Sequence, residues 1–131
     1  MKRFLQWVKK INYVTTIQEL STELDLVIIA TGSKPRASIV KSLLTHSSVK
    51  YLVLEKVLFP VLAEYDEISN LLKEKQIRCW VNCPRRMYGM YKQIKETIDP
   101  SYPIYMTNAD ENWGLCCNAI HMIDLFLYLY R

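Results

Sequence analysis

The chain has 131 residues, half of them hydrophobic, with 17 basic and 13 acidic side chains and a formal charge of +4. That length suits one domain, or a piece of a larger one, able to bury roughly two-thirds of its unfolded surface. The basic pairs Lys2-Arg3, Lys9-Lys10 and Arg85-Arg86 are too scattered for a nucleic-acid-binding tail, so no nucleic-acid partner is expected. The longest apolar tract, residues 115–130, is interrupted by Asn118, His121 and Asp124 and is shorter than the ~20 residues that cross a bilayer. No membrane partner is expected either.

The first ten residues carry four cations and no apolar stretch of signal-peptide length. The expected location is the cytoplasm, where thiols stay reduced. Cys79, Cys83, Cys116 and Cys117 then read as small hydrophobes. A zinc site built from them with His121 is the sharper alternative, but the spacing opposes it. Cys116 and Cys117 would point about 100° apart on a helix, and Cys79 and Cys83 straddle a strand end, so no metal is expected.

Residues 1–14 are ambiguous, with helical spacing at Phe4, Leu5, Val8 and Ile11. Thr16 and Glu19 have the spacing of a capping box, which predicts a short helix through Leu20 to about Glu23. The central stretch follows, Asp25 to Gly32. Its run from Leu26 to Ala30 has three β-branched residues and no alternation, the pattern of a parallel strand covered on both faces. Thr31-Gly32-Ser33 then allow a sharp turn and close approach of a ligand, just past the carboxyl end of the strand, where open α/β sheets bind ligands.

Pro35 suits the start of a helix with Ile39, Val40, Leu43 and Leu44 on one stripe. Tyr51 to Leu54 reads as a second strand, leading to Glu55-Lys56. Pro60 opens a helix whose Leu62, Ile68, Leu71 and Leu72 are expected to face inward, ending at Lys73-Glu74-Lys75. Ile77, Cys79 and Val81 alternate as a third strand. After the loop at residues 82–86, Tyr88 to Ile98 is a helix stopped by Pro100. Tyr102 to Met106 reads as a further strand, and Leu115 to Tyr130 as a long, mostly buried helix. Such alternation implies an α/β fold with a parallel sheet and right-handed crossovers.

Four landmarks occur in a telling order: Ala30-Thr31 and Glu55-Lys56 at strand ends, Asn82 with Arg85-Arg86, and His121 with Asp124. In that order and spacing the chain resembles the Gfo/Idh/MocA oxidoreductases, relatives of glucose–fructose oxidoreductase and inositol 2-dehydrogenase. The resemblance covers about residue 13 to the end. It implies a dinucleotide-binding Rossmann domain followed by an α+β substrate domain, and hydride transfer between NAD or NADP and a sugar- or cyclitol-like alcohol. By the same resemblance, Thr31, Gly32, Ser33, Arg36, Glu55 and Lys56 would line the cofactor cleft. Lys56 and His121 would be catalytic, and Arg85, Arg86, Asn118 and Asp124 would meet the substrate.

The roles are chemically sound. Removing hydride from an alcohol requires a base for the hydroxyl proton, and imidazole titrates nearest neutrality. A lysine ammonium beside the same oxygen stabilises developing negative charge.

The chain departs from the family at instructive points. It has three glycines, Gly32, Gly89 and Gly114, and no G-x-G-x-x-G turn to cradle a pyrophosphate. The expectation is a partial Rossmann-type sheet with flanking helices, lacking the first βαβ unit, at residues 1–84, with the start of a second α+β domain at 85–131. Val57 stands where the family has the proline of E-K-P, and Cys117 where D-x-G-x-H has its carboxylate. This piece alone should bind dinucleotide poorly. The missing unit would leave the first strand's edge unpaired, to be covered by a second copy, a completing chain or the N-terminal residues. A catalytically silent interaction module using that edge and the nine tyrosines is the alternative reading.

Overall fold

In the computed structural model, which describes residues 11–109, 111–112 and 114–130, three parallel strands lie side by side in sequence order. They are β1 (Glu23–Ile29), β2 (Ser48–Leu54) and β3 (Arg78–Val81). Two helices form the crossovers, α1 (Ser33–His46) and α2 (Leu62–Glu74). A 3-10 turn (Pro84–Met87), α3 (Gly89–Thr97) and α4 (Leu115–Tyr130) follow the last strand. The fold is α/β, a three-stranded parallel sheet with flanking helices.

The register explains the core. Val27 stands beside Leu52, Ile29 beside Leu54, and Leu52 beside Cys79, so these side chains share one face of the sheet. α1 lays Ala37, Val40, Leu43 and Leu44 on that face, and α2 adds Ile68. Val40 and Leu52 are wholly inaccessible to solvent. Burying each such aliphatic side chain contributes about 1.5–3 kcal/mol. α1 ends where Ser47 turns extended. There its N–H donates to the Leu43 carbonyl at 2.7 Å and its Oγ to the Ser21 carbonyl at 2.7 Å. α2 ends through Gln76, at φ 56, with the Ile77 N–H reaching back to the Leu72 carbonyl.

Five sequence expectations need correction. Among the described residues, β1 is covered on one face only. Leu26 and Ile28 are 56% and 63% exposed, because both crossover helices pack on the opposite face. An apolar run specifies a strand that can be buried twice, but it does not carry the second cover. The Thr16–Glu19 pattern does make its contacts, with the Glu19 carboxylate accepting from the Thr16 N–H at 3.1 Å and Oγ1 at 2.7 Å. It organises only a single 3-10 turn, Ile17–Glu19, because β1 pairing begins at Glu23.

Leu62 opens α2 but is 81% exposed, since the inward stripe begins a turn later. Residues 102–106 form no strand, as Pro103 has no N–H to offer a ladder. α4 has the expected bounds, yet Leu125 alone of its described residues is fully buried. Its Leu115, Ile123, Leu127 and Tyr130 remain exposed. The ambiguous N-terminal stretch lies mainly outside the described residues.

Candidate functional site

Parallel pairing puts the carboxyl ends of β1 and β2 at one edge of the sheet. Ile29 is beside Leu54, and the Glu55 N–H extends the ladder to the Ile29 carbonyl at 3.1 Å. The turns that follow enclose a cleft of about 560 Å³ lined by Ala30, Thr31, Gly32, Ser33, Arg36, Glu55, Lys56, Val57 and Cys117. All six residues expected at a cofactor cleft therefore share one cavity. α1 begins there, capped by Gly32, with no acidic residue in its first turn. Its leading N–H groups lack intrahelical partners, as at any helix start. Gly32 has an ordinary φ of −58, and a Cβ there would meet nothing within 4 Å. Conformation does not demand this glycine; it leaves open space. The Thr31 hydroxyl oxygen is buried without a hydrogen-bond partner.

Arg36 lines the cleft differently from the sequence expectation. It is 1% exposed, and its guanidinium donates to the carbonyls of Thr31, Val57 and Leu58. It clamps the two turns together across 21 and 22 residues of chain. Desolvation pushes its pKa below the usual arginine value, with the charge of Glu55 opposing that shift. Glu55 is in turn held by the Asn82 amide, whose backbone N–H donates to the Leu54 carbonyl at 2.8 Å. The peptide bond between Lys56 and Val57 is cis.

Lys56 links the cleft to α4. Its Nζ donates to the Cys117 carbonyl at 2.7 Å, one helical turn before His121. The His121 imidazole is pushed below its ordinary pKa, first by burial and then by the charges of Lys56 and Arg85, with Glu55 pulling the other way. Its Nδ1 is buried without a partner. Burial and the neighbouring positive charges thus favour the neutral form of this imidazole.

The remaining expected residues divide. Asp124 and Arg86 satisfy each other through a two-pronged ion pair with Nε to Oδ2 at 2.9 Å. The Asn118 amide donates to the Gly114 carbonyl at 3.4 Å, at the start of α4. Arg85 lies on the 3-10 turn that packs against α4. Two contributors lacked those roles in the sequence reading. They are Asn82, which positions Glu55, and the Cys117 backbone, which receives Lys56. Only the N-x-x-R-R and C-x-x-x-H spacings pointed near them. Among the described residues, no three His, Cys, Asp or Glu side chains cluster closely enough to hold a metal ion. No helix among them is long and apolar enough to cross a membrane.

No family model matches the chain, and no curated protein matches it. Solved structures do. A super-repressor mutant of Gal80p from Saccharomyces cerevisiae aligns with a TM-score of 0.73 at 18% identity, covering 98% of this chain and 41% of its own. The dehydrogenase MviM from Clostridium difficile aligns at 0.69 with 21% identity, covering 97% of this chain and 44% of its own. The fold is Rossmann-like. Identities this low speak for the fold alone, and the chain spans less than half the length of either solved protein. Nothing in that fold decides between catalysis and regulation, as a repressor and a dehydrogenase both use it.

Proposed function

We propose that the chain is part of an NAD(P)-dependent oxidoreductase of the Gfo/Idh/MocA type, acting on a hydroxyl-bearing carbon of a sugar- or cyclitol-like substrate. The observation that carries this reading is the convergence of Lys56 and Glu55, from the end of β2, on the α4 stripe bearing His121. Residues 1–84 would serve the cofactor and 85–131 would begin the substrate side.

The residues fit one end of a dinucleotide. Thr31 has an unpartnered hydroxyl oxygen, and the space over Gly32 is open. The pyrophosphate end has no glycine-rich cradle among Gly32, Gly89 and Gly114. A bound nicotinamide would supply the hydride acceptor. The protein's own residues do the rest. His121, held neutral by burial and neighbouring cations, takes the hydroxyl proton. Lys56 spends one of its three donors on the Cys117 carbonyl and keeps two for the substrate oxygen. Asn82 keeps Glu55 from swinging away.

Titrating NADH into the isotope-labelled protein, followed by amide resonances, tests this. Binding weaker than micromolar is expected, with shifts confined to residues 31–33, 55–57 and 117–121. Shifts elsewhere, or none at millimolar NADH, would sink the proposal.

A second reading has its own observation. Among the described residues nothing covers the sheet face carrying Leu26, Ile28, Tyr51 and Trp80, which suits an interaction module completed by a second copy or another chain. A self-associating protein that ignores both NADH and NADPH would favour it. Light scattering after size-exclusion chromatography provides that readout.

A further inference from the structure

Cys117, His121, Asp124 and Tyr128 follow each other along α4 at intervals of four, three and four residues, which places them on one stripe. Cations meet that stripe along its length. Lys56 donates to the Cys117 carbonyl at 2.7 Å. Arg86 pairs with Asp124. Lys95 donates to the Tyr128 carbonyl and sits 4.7 Å from the centre of its ring. Each of these three has a partner.

Arg85 does not. It is half-buried on the 3-10 turn that packs against α4, next to Arg86, which reaches Asp124 one helical turn beyond His121, and its charge lowers the His121 pKa. Among the described residues its guanidinium has neither a hydrogen bond nor an ion pair. The nearby carboxylates are already committed, Glu55 to Asn82 and Asp124 to Arg86. A half-buried guanidinium with five unused donors, next to a candidate base, is a site for paired anionic oxygens.

We propose that Arg85 determines specificity here by receiving the carboxylate or phosphate of an acidic polyol, and so holds that substrate against His121. The proposal rests on the reading of Lys56 and His121 as a polyol site, but its test needs no cofactor and no turnover. A neutral sugar would leave the guanidinium uncompensated. An acidic one replaces its lost water with charge-assisted hydrogen bonds.

The experiment compares D-glucuronate, D-glucose 6-phosphate and D-glucose, each titrated into the whole protein at physiological salt and followed by calorimetry and the His121 ring resonances. At least one anion should bind about ten- to a hundredfold more tightly than glucose. The winner tells carboxylate from phosphate. In Arg85→Gln that ratio should fall to about one, and Arg85→Lys should restore part of it. Arg78→Gln, on β3 and away from the cleft, should leave it unchanged. If Arg85→Gln fails to fold, the ratio in Arg85→Lys decides, and a value equal to the parent's overturns the proposal. Equal affinities for all three ligands, or an anion preference that survives Arg85→Gln, would overturn it as well. Anion binding in a protein whose residues 31–33, 55–57 and 117–121 show no shifts with millimolar NADH would count against the oxidoreductase reading and leave Arg85's role standing.

Discussion

The two faces of the sheet are made of the same kinds of side chain and end in opposite environments. On one, Val27, Ile29, Leu52 and Leu54 meet α1 and α2 and form the core with Val40, Leu43, Leu44 and Ile68. On the other, Leu26, Ile28, Tyr51 and Trp80 are between 39% and 63% exposed. Register aligns Leu26 with Tyr51 and Ile28 with Val53 and Trp80, so this bare surface is continuous. Tyr51 and Trp80 rings already lean together at 6.0 Å. The difference teaches that strand chemistry sets what can be buried, while the crossovers decide what is. Parallel sheets usually have both faces covered. Among the described residues, α4 reaches the carboxyl end of the open face, where Asp124 and Arg86 share a cavity with Val53 and Trp80.

The sharpest way to break this contrast is a deletion on the covered face. Leu52→Ala removes a side chain with no solvent exposure, between β1 and β3 and under the helices. A loss of about 2–5 kcal/mol is expected in urea unfolding. A loss below about 1 kcal/mol would mean that this face is not packed as a core.

Much of this arrangement was legible in the residues. Strands stopping just short of Thr31 and Lys56 can be placed from apolar runs, and parallel pairing then obliges the turns that follow to share a cleft. α1's stripe and α4's bounds followed from spacing alone. What stayed hidden depends on partners distant in sequence. Arg36 looked like a ligand contact because the carbonyls it clamps, at Val57 and Leu58, cannot be seen from residues 31–36. Asp124, a substrate contact by the family resemblance, is instead held by Arg86 from 38 residues away. The exposure of the second face is not legible either, as an uninterrupted run like Leu26–Ala30 reads as doubly buried whether or not its second cover is present.

A smaller effect comes from the strand tips, where α4 bridges the two faces. His121 has its pKa lowered in the folded protein, so the unfolded chain takes up the proton first. Its neutral form therefore favours folding fully above the unfolded value of about 6.5. That contribution is lost as pH falls through 6.5 towards the lower folded value. Stability should decline on acidification across this window, and His121→Gln should flatten the decline. An unchanged slope in the variant would assign the pH dependence to other groups, and would show that α4's stripe does not hold the imidazole neutral.

The least costly substitution says most about the open face. Ile28 is 63% exposed in the single chain, so Ile28→Ser removes little buried surface and should change stability by no more than about 0.5 kcal/mol. Its register neighbour Val53 and the Tyr51–Trp80 pair keep their own contacts. Two results would separate a bare face from a covered one. A small change independent of protein concentration means that Ile28 meets water in solution, as it does in the single chain. A cost above about 1 kcal/mol that grows with protein concentration means that a second copy seats there, because association stabilises the folded state by mass action and the serine would weaken it. Measured beside Leu52→Ala, the ratio of the two losses gives the asymmetry of the sheet directly.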